Sequence, residues 1–250
     1  MANSELRSQS PLFLGFLKQV LQAHWRSLLL LCVGVGLPLF FFEQLAVAIW
    51  QHQGGFLWDE PILLAIHAST TESLNQLVPL LTKLGGFKGV TLMTTLLSFL
   101  LLWQQRWRSL VYLLITTIGS GLINRVAKLL LHRVRPSLWE SLSPEPDFAF
   151  PSGHATASMT FVAALVILTW GTRWSWLTFL GGSSFVVTIA WTRLYLGVHF
   201  PSDIMAGWLV SIAWAIGVSL AIRPHLAAST PTEEVHLTAK EEHTIAAESK

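Results

Sequence analysis

Residues 109–136 read SLVYLLITTIGSGLINRVAKLLLHRVRP, and this stretch decides the fold. From Ser109 to Leu131 it holds no acidic residue and only Arg125 and Lys128 as basic ones. That is the composition of a helix crossing a lipid bilayer, which needs roughly 20 mainly apolar residues. Inside hydrocarbon every backbone N–H and C=O must be paired within the segment, so a span of this kind is helical. Working outward, residues 27–50, 86–103, 155–170, 174–191 and 204–222 repeat the pattern. The whole chain agrees: 52% of its 250 residues are hydrophobic and 12% are charged, against about 25% charged in a soluble domain. A water-soluble protein would lack the polar surface to stay dispersed. The expected fold is all-α, a polytopic membrane helical bundle with six transmembrane helices.

Three regions follow from this reading. Residues 1–26 are expected to be a cytoplasmic N-terminal segment whose residues 11–25 form an interfacial helix. Residues 27–222 form the membrane domain, and the polar residues 223–250 form a tail expected to be disordered. Gly34, Gly36 and Pro38 are expected to bend the first helix. Between the first and second spans, Asp59-Glu60-Pro61 and Thr71-Glu72 mark two helix starts, their acids complementing the positive N-terminal dipole. Two short interfacial helices are expected there.

Orientation comes from the basic residues of short loops. Arg7, Lys18 and Arg26 precede the first span, Arg106 and Arg108 separate the second and third, Arg173 the fourth and fifth, and Arg223 follows the sixth. With six spans all lie on one side, the cytoplasm, together with both termini and the tryptophans Trp103, Trp107, Trp170, Trp174 and Trp176. Lys83 and Lys88 are mild exceptions. Net charge is +2, too small to point to a nucleic-acid partner. The single cysteine, Cys32, has no intrachain disulfide partner.

The opposite, outer side carries charges that the loop rule does not explain. Three stretches hold them: Lys128 to Pro136, Pro151-Ser152-Gly153-His154, and Arg193 to Asp203. Ionisable groups beside spans are costly, so they mark a site or a pathway. A phosphate ligand gives each a task. Lys128, Arg135 and Arg193 set three positive charges against a dianion, and the arginine forks match phosphate oxygens. Ser152 and Gly153 open a helix, where N–H groups face an anion, and Gly153 removes a side chain from its path. Of two imidazoles, His199 attacks phosphorus unprotonated and His154 donates a proton to the leaving alkoxide. Asp203, four residues after His199, holds that ring in the attacking tautomer. Pro201 suits the first turn of the sixth helix and puts Asp203 in that turn.

These stretches resemble the signature of the type 2 phosphatidic acid phosphatase superfamily, which also includes vanadium-dependent haloperoxidases. The family pattern is lysine, six residues, Arg-Pro; then Pro-Ser-Gly-His; then Ser-Arg, five residues, His, three residues, Asp. Here Lys128, Arg135, Pro136, Pro151 to His154, Arg193, His199 and Asp203 match in spacing and order, with Thr192 in place of the serine. The signature covers residues 128–203. The resemblance implies a phosphohistidine on His199, proton donation by His154, and a phosphate pocket of Lys128, Arg135, Ser152, Gly153, His154 and Arg193. It implies no cofactor and no metal, and the sequence has neither a His-Glu-x-x-His motif nor a dense carboxylate cluster. The substrate implied is a phosphate or diphosphate of a membrane lipid, entering sideways from the bilayer: phosphatidic acid, phosphatidylglycerol phosphate and undecaprenyl diphosphate all fit.

Other residues carry no such pattern. Arg133 reads equally as a solvated loop charge or a substrate contact, and His132 reads as a bystander. Asn124 and Arg125 either line the pocket or serve interhelical hydrogen bonds. Glu145 and Asp147 are either plain loop charges or a gate, and the loop from Ser137 to Phe150 is either open or a lid. His24, His52 and His67 are better read as interfacial or packing residues. Three other functions stay in view: a silent protein that binds or transports lipid phosphates, a sugar-phosphate phosphatase, and a vanadate haloperoxidase, for which six spans would be superfluous. The paired imidazoles argue against the silent protein, since binding alone needs only the cations.

Overall fold

The computed structural model describes Lys18, residues 22–51 and residues 56–225. The tail beyond His225 and most of the expected N-terminal interfacial helix lie outside the described residues. Residues 22–26 belong to the first long helix. Among the described residues there are helices and no strands. We number them α1 (Gln22–Gln51), α2 (Asp59–His67), α3 (Glu72–Gly85), α4 (Phe87–Trp103), α5 (Trp107–Leu131), α6 (Gly153–Thr169), α7 (Ser175–Tyr195) and α8 (Pro201–Ile222).

Four of these, α1, α5, α7 and α8, are long and apolar enough to cross a membrane, and α3 with α4 makes a fifth if the pair counts as one span bent by 46°. The segment expected as a full span at residues 155–170 is α6, a shorter apolar helix of 17 residues. It lies inside the bundle, packed against α3, α4, α5, α7 and α8. The outer faces of the long helices are apolar: Leu92, Leu96, Ile118, Leu122 and Val187 are each more than half exposed. Such surface is at home in lipid.

Local chemistry explains the irregular points. In α1 the stretch Leu30–Gly36 is π-helical, and Leu37 N–H reaches back five residues to Cys32 O. The wider turn comes directly before Pro38, whose ring and missing N–H disturb the ordinary ladder. Gly34 in that stretch lies against α8, where a Cβ would stand 2.8 Å from Ile216. The two helix starts expected between the first spans are present. Asp59 opens α2, and Thr71 caps α3 by accepting from Leu74 N at 3.4 Å.

The end of α5, the start of α6, the end of α7 and the start of α8 meet at one end of the bundle. At the other end Arg108 donates to Ile222 O at 2.8 Å and Ser109 to Pro224 O at 3.2 Å. The helix ends away from the meeting point carry Trp103, Trp107, Trp170, Trp174 and Trp176, all more than half exposed. Between the two ends, polar pairs tie α5 to α6: Ser120 to Thr160 at 2.6 Å, and Asn124 Nδ2 to Thr156 Oγ1 and Pro151 O, both at 3.1 Å. Asn124 thus serves helix contacts, and Arg125 is exposed.

Candidate active site

The three charged stretches, up to 75 residues apart in the chain, are brought together where the four helix ends meet. Each arrives by a local device. His132 closes α5 in the left-handed region (φ 46°), and its ring sits edge-on to Phe148 at 4.5 Å, as befits a bystander. The turn carries Arg133 inward, where its carbonyl accepts from Ala149 N at 2.9 Å. Ser152 caps α6, its hydroxyl accepting from Ala155 N at 3.4 Å. Its own N–H donates to Asp203 O at 3.1 Å, which joins the start of α6 to the start of α8. Gly197 has φ +65°, and a Cβ there would fall 2.6 Å from Trp139, so the turn that presents His199 requires glycine. At Gly153 a Cβ would meet only Asn124 Oδ1 at 3.6 Å. No protein atom within reach excludes a side chain there.

His199 is fully buried in the loop before α8. Its Nε2 lies 3.0 Å from Arg135 Nη1. A guanidinium only donates, so Nε2 is the acceptor and the proton sits on Nδ1. That nitrogen faces Asp203 Oδ2 at 3.4 Å, without the alignment of a full hydrogen bond. Oδ2 accepts instead from Phe200 N at 2.8 Å. Hydrogen bonds of this kind commonly tighten only when substrate is bound. Burial, then Arg135, Arg193 and Lys128, hold the His199 imidazole well below its ordinary pKa. It is therefore neutral at pH 7, with the lone pair of Nε2 turned toward the cations.

Those cations are Lys128, Arg135 and Arg193, and two loop carboxylates lie on them. Lys128 Nζ pairs with Asp147 at 3.0 Å and also donates to Phe148 O. Arg135 bonds Glu145 at 2.9 Å and Asp147, and is braced by Asp147 O at 2.7 Å and Val198 O at 2.8 Å. Arg193 bonds Glu145 and, at 2.8 Å, Thr82 Oγ1 of α3. Glu145 further stands 3.6 Å from His154 Nδ1 and 4.0 Å from His199 Nε2. Burial works against ionising Glu145, but the cations beside it, Arg193 before Arg135, keep its carboxyl below the usual range. For Asp147 burial is likewise overcome, by Lys128 and Arg135. The loop across residues 132–152 therefore lies over the cations, with its two carboxylates paired to them.

Ser152, Gly153, His154, Lys128, Arg135, Arg193, His199 and Asp203 thus share one site. Thr192 does not point its hydroxyl there; it donates to Ile189 O of its own helix at 2.6 Å. Two further residues were not singled out by their sequence pattern. Arg133 and Asp59 are both fully buried and paired with each other at 2.9 Å, and Arg133 also pairs with Asp203. Asp59 is separated from Arg133 by 74 positions, so no local spacing signals the pair.

Residues 109–227 match the family model of the PAP2 superfamily. An undecaprenyl-diphosphatase of Sulfolobus acidocaldarius is 30% identical over 162 residues, which is 63% of this chain and 74% of the relative. Phosphatidylglycerophosphatase B of Bacillus subtilis is 27% identical over 179 residues, 69% of this chain and 86% of the relative. The crystal structure of the transmembrane PAP2-type phosphatidylglycerolphosphate phosphatase from Bacillus subtilis shares the fold, with a TM-score of 0.67 and 23% identity over 77% of this chain and 97% of the other.

Proposed function

Because the chain belongs to the PAP2 superfamily, we propose that it is a lipid phosphatase that hydrolyses the phosphomonoester or diphosphate of a membrane lipid through a phosphohistidine on His199. Its relatives act on differing lipid phosphates, an undecaprenyl diphosphate in one and a phosphatidylglycerophosphate in another by their names. The observation that carries the mechanism is the His199 tautomer: Nε2 bears a lone pair at 3.0 Å from Arg135 Nη1, within the cluster of cations.

The steps follow from the residues. A phosphate dianion displaces Glu145 and Asp147 and takes their contacts with Lys128, Arg135 and Arg193. The Ser152–Gly153 helix start adds N–H groups to the same anion. His199 Nε2 attacks phosphorus, and the bond from phosphorus to the lipid oxygen breaks. His154 takes up a proton as the phosphate dianion binds and gives it to the departing oxygen, so the lipid alcohol or monophosphate leaves neutralised at that atom. The imidazole now carries positive charge, which Asp203 offsets through Nδ1. Water then attacks the phosphohistidine, its proton passing to His154, and inorganic phosphate and free His199 result. The cations stabilise charge on the phosphoryl oxygens throughout, and no step is routed through a metal.

In the membrane we read six spans, with α6 as the short fourth and α2 as a surface helix beside the site. The short-loop arginines support a cytoplasmic side at the end holding Arg106, Arg108 and Arg173, with the site at the outer face. A substrate reaches it from the lipid, its tails still in the bilayer.

The test is phosphate release in detergent with excess chelator, by wild type and by His199→Ala, on phosphatidic acid, phosphatidylglycerol phosphate, undecaprenyl diphosphate and a soluble sugar phosphate. Release by wild type alone, fastest from a lipid, is the expected result. Equal release by His199→Ala would reject the mechanism. No release by folded wild type would favour a silent binding protein, and preference for the sugar phosphate would reject the lipid assignment.

A further inference from the structure

Behind His199, on the side of Asp203, lies a buried charge cluster in which the reaction above gives Asp59 and Arg133 no task. Asp59, at the first position of α2, makes four contacts through its two oxygens. Oδ2 accepts from Arg133 Nη2 at 2.9 Å, Ser202 Oγ at 2.6 Å and Phe56 N at 3.0 Å, and Oδ1 accepts from Ser202 N at 3.0 Å. Arg133 Nη1 donates to Ser202 Oγ at 2.7 Å and to Asp203 Oδ1. The guanidinium carbon lies 4.4 Å from the centre of the Phe200 ring. Asp59, Arg133, Ser202, Asp203 and His199 all have 0% exposure.

Burying three charged groups is expensive, and a buried ion pair is commonly no more stabilising than apolar residues of the same volume. The cluster's geometry suggests a task other than stability. Asp203 is gripped at both oxygens, Oδ1 by Arg133 and Oδ2 by Phe200 N–H at 2.8 Å, so its carboxylate cannot turn. The oxygen left toward His199 Nδ1 is Oδ2, at 3.4 Å. Arg133 is in turn fixed by Asp59, which is itself held by the backbone of α8 and of the turn before α2. Among the described residues, neither Asp59 nor Arg133 makes a hydrogen bond or ion pair with Lys128, Arg135, Arg193 or Glu145. Their charged side chains reach the reaction through Asp203, with Ser202 and Phe200 of the same helix start beside it.

We infer that Asp59 and Arg133 are positioning residues for the phosphatase reaction, a buried brace that sets the Asp203 carboxylate against His199. The inference rests on the proposed role of His199. With Asp203 so held, its carboxylate stands at Nδ1 when His199 gains positive charge on taking the phosphoryl group.

The experiment compares kcat, KM and the inhibition constant of inorganic phosphate in purified wild type, Arg133→Lys, Asp59→Asn, Asp203→Asn and the two doubles with Asp203→Asn, with His199→Ala alongside. Outer partners of a catalytic ligand typically contribute about 10–100-fold. Arg133→Lys and Asp59→Asn should lower kcat by about that factor while KM and phosphate inhibition stay within about twofold. In the Asp203→Asn background either change should cost less than about threefold, since coupled residues are non-additive. Asp59→Asn keeps the size and one acceptor of the side chain, so it carries the test if Arg133→Lys does not fold. Wild-type kcat in both single variants, full additivity with Asp203→Asn, or a loss appearing in KM and phosphate affinity would overturn the brace. Undiminished turnover by His199→Ala would instead reject the nucleophile on which the inference rests.

Discussion

Gly207 sits one turn after Asp203 on α8, where that helix crosses the start of α6. A Cβ added there would stand 2.9 Å from Thr156 Oγ1, 3.1 Å from Thr156 N and 3.1 Å from Ser152 O, whereas ordinary contact begins near 3.4 Å. Two of these neighbours are backbone atoms, and the third is held by its bond to Ser152 O at 2.8 Å, so none can swing aside. Gly207→Ala must therefore push the first turn of α6 away by about 0.3–0.5 Å, the difference between those contacts and 3.4 Å. Ser152, Gly153 and His154 ride on that turn, while His199 and Asp203 stay with α8. A misplacement of about 1 Å costs about 10² in rate. Taken proportionally, the variant should lose about fourfold to tenfold in kcat, with a destabilisation of about 1–3 kcal/mol from overpacking. Initial rates of phosphate release and thermal midpoints in one detergent measure both. Gly181→Ala is the control, because a Cβ at Gly181 has nothing within 4 Å. It should keep full activity and melt no lower than wild type, since alanine favours helix over glycine. A Gly207→Ala variant with wild-type rate and midpoint would refute the claim that the α6–α8 crossing sets the site.

Three other outcomes follow from the site. Asp203→Asn should lower kcat by far more than Gly207→Ala, as the corresponding carboxylate does in serine-protease triads, and near-normal kinetics would remove Asp203 from the site. Glu145→Gln frees Arg193 and Arg135 from a competing carboxylate, so inorganic phosphate should inhibit about tenfold more strongly, one charge-assisted bond's worth; unchanged inhibition would mean that the loop does not compete with the anion. The ionised forms of Glu145 and Asp147 are favoured by the fold, so their stabilisation is fully present above the ordinary carboxylate pKa and is lost as pH falls through the lower folded values. The gap in thermal midpoint between wild type and the Glu145→Gln, Asp147→Asn double should accordingly be present at pH 7 and close in acid, and a gap independent of pH would show that these carboxylates add nothing by their charge.

Much of this molecule is legible in its sequence because the membrane and the phosphate each impose simple rules. Apolar runs give the long helices, and Thr71 and Asp59 mark starts that the structure reproduces. The spacing of Lys128, Arg135, His154, Arg193, His199 and Asp203, read through its resemblance to the family signature, picks out residues that the structure brings to one end of the bundle. What stays hidden is pairing across distance. Asp59 reads as a dipole-complementing acid at a helix start and Arg133 as a loop charge, yet each is buried because of the other, 74 positions away. Hydropathy likewise cannot tell that α6, at 17 residues, is surrounded by other helices, since an apolar run looks the same whether it faces lipid or protein. Whether Glu145 is a plain loop charge or a gate is hidden in the sequence for a related reason: Arg193, one of the cations it pairs with, lies far from it along the chain.

The junction where Ser152 N–H reaches Asp203 O at 3.1 Å belongs to both halves of the site at once. Chemistry here depends on two helix starts keeping step along the crossing that also packs Gly207 and Ser211 against Thr156. Catalysis is thus a finer gauge of the bundle's tightness than its helicity is. On warming, or in a bilayer of unsuitable thickness, turnover should fail first, while circular dichroism still reports every helix intact.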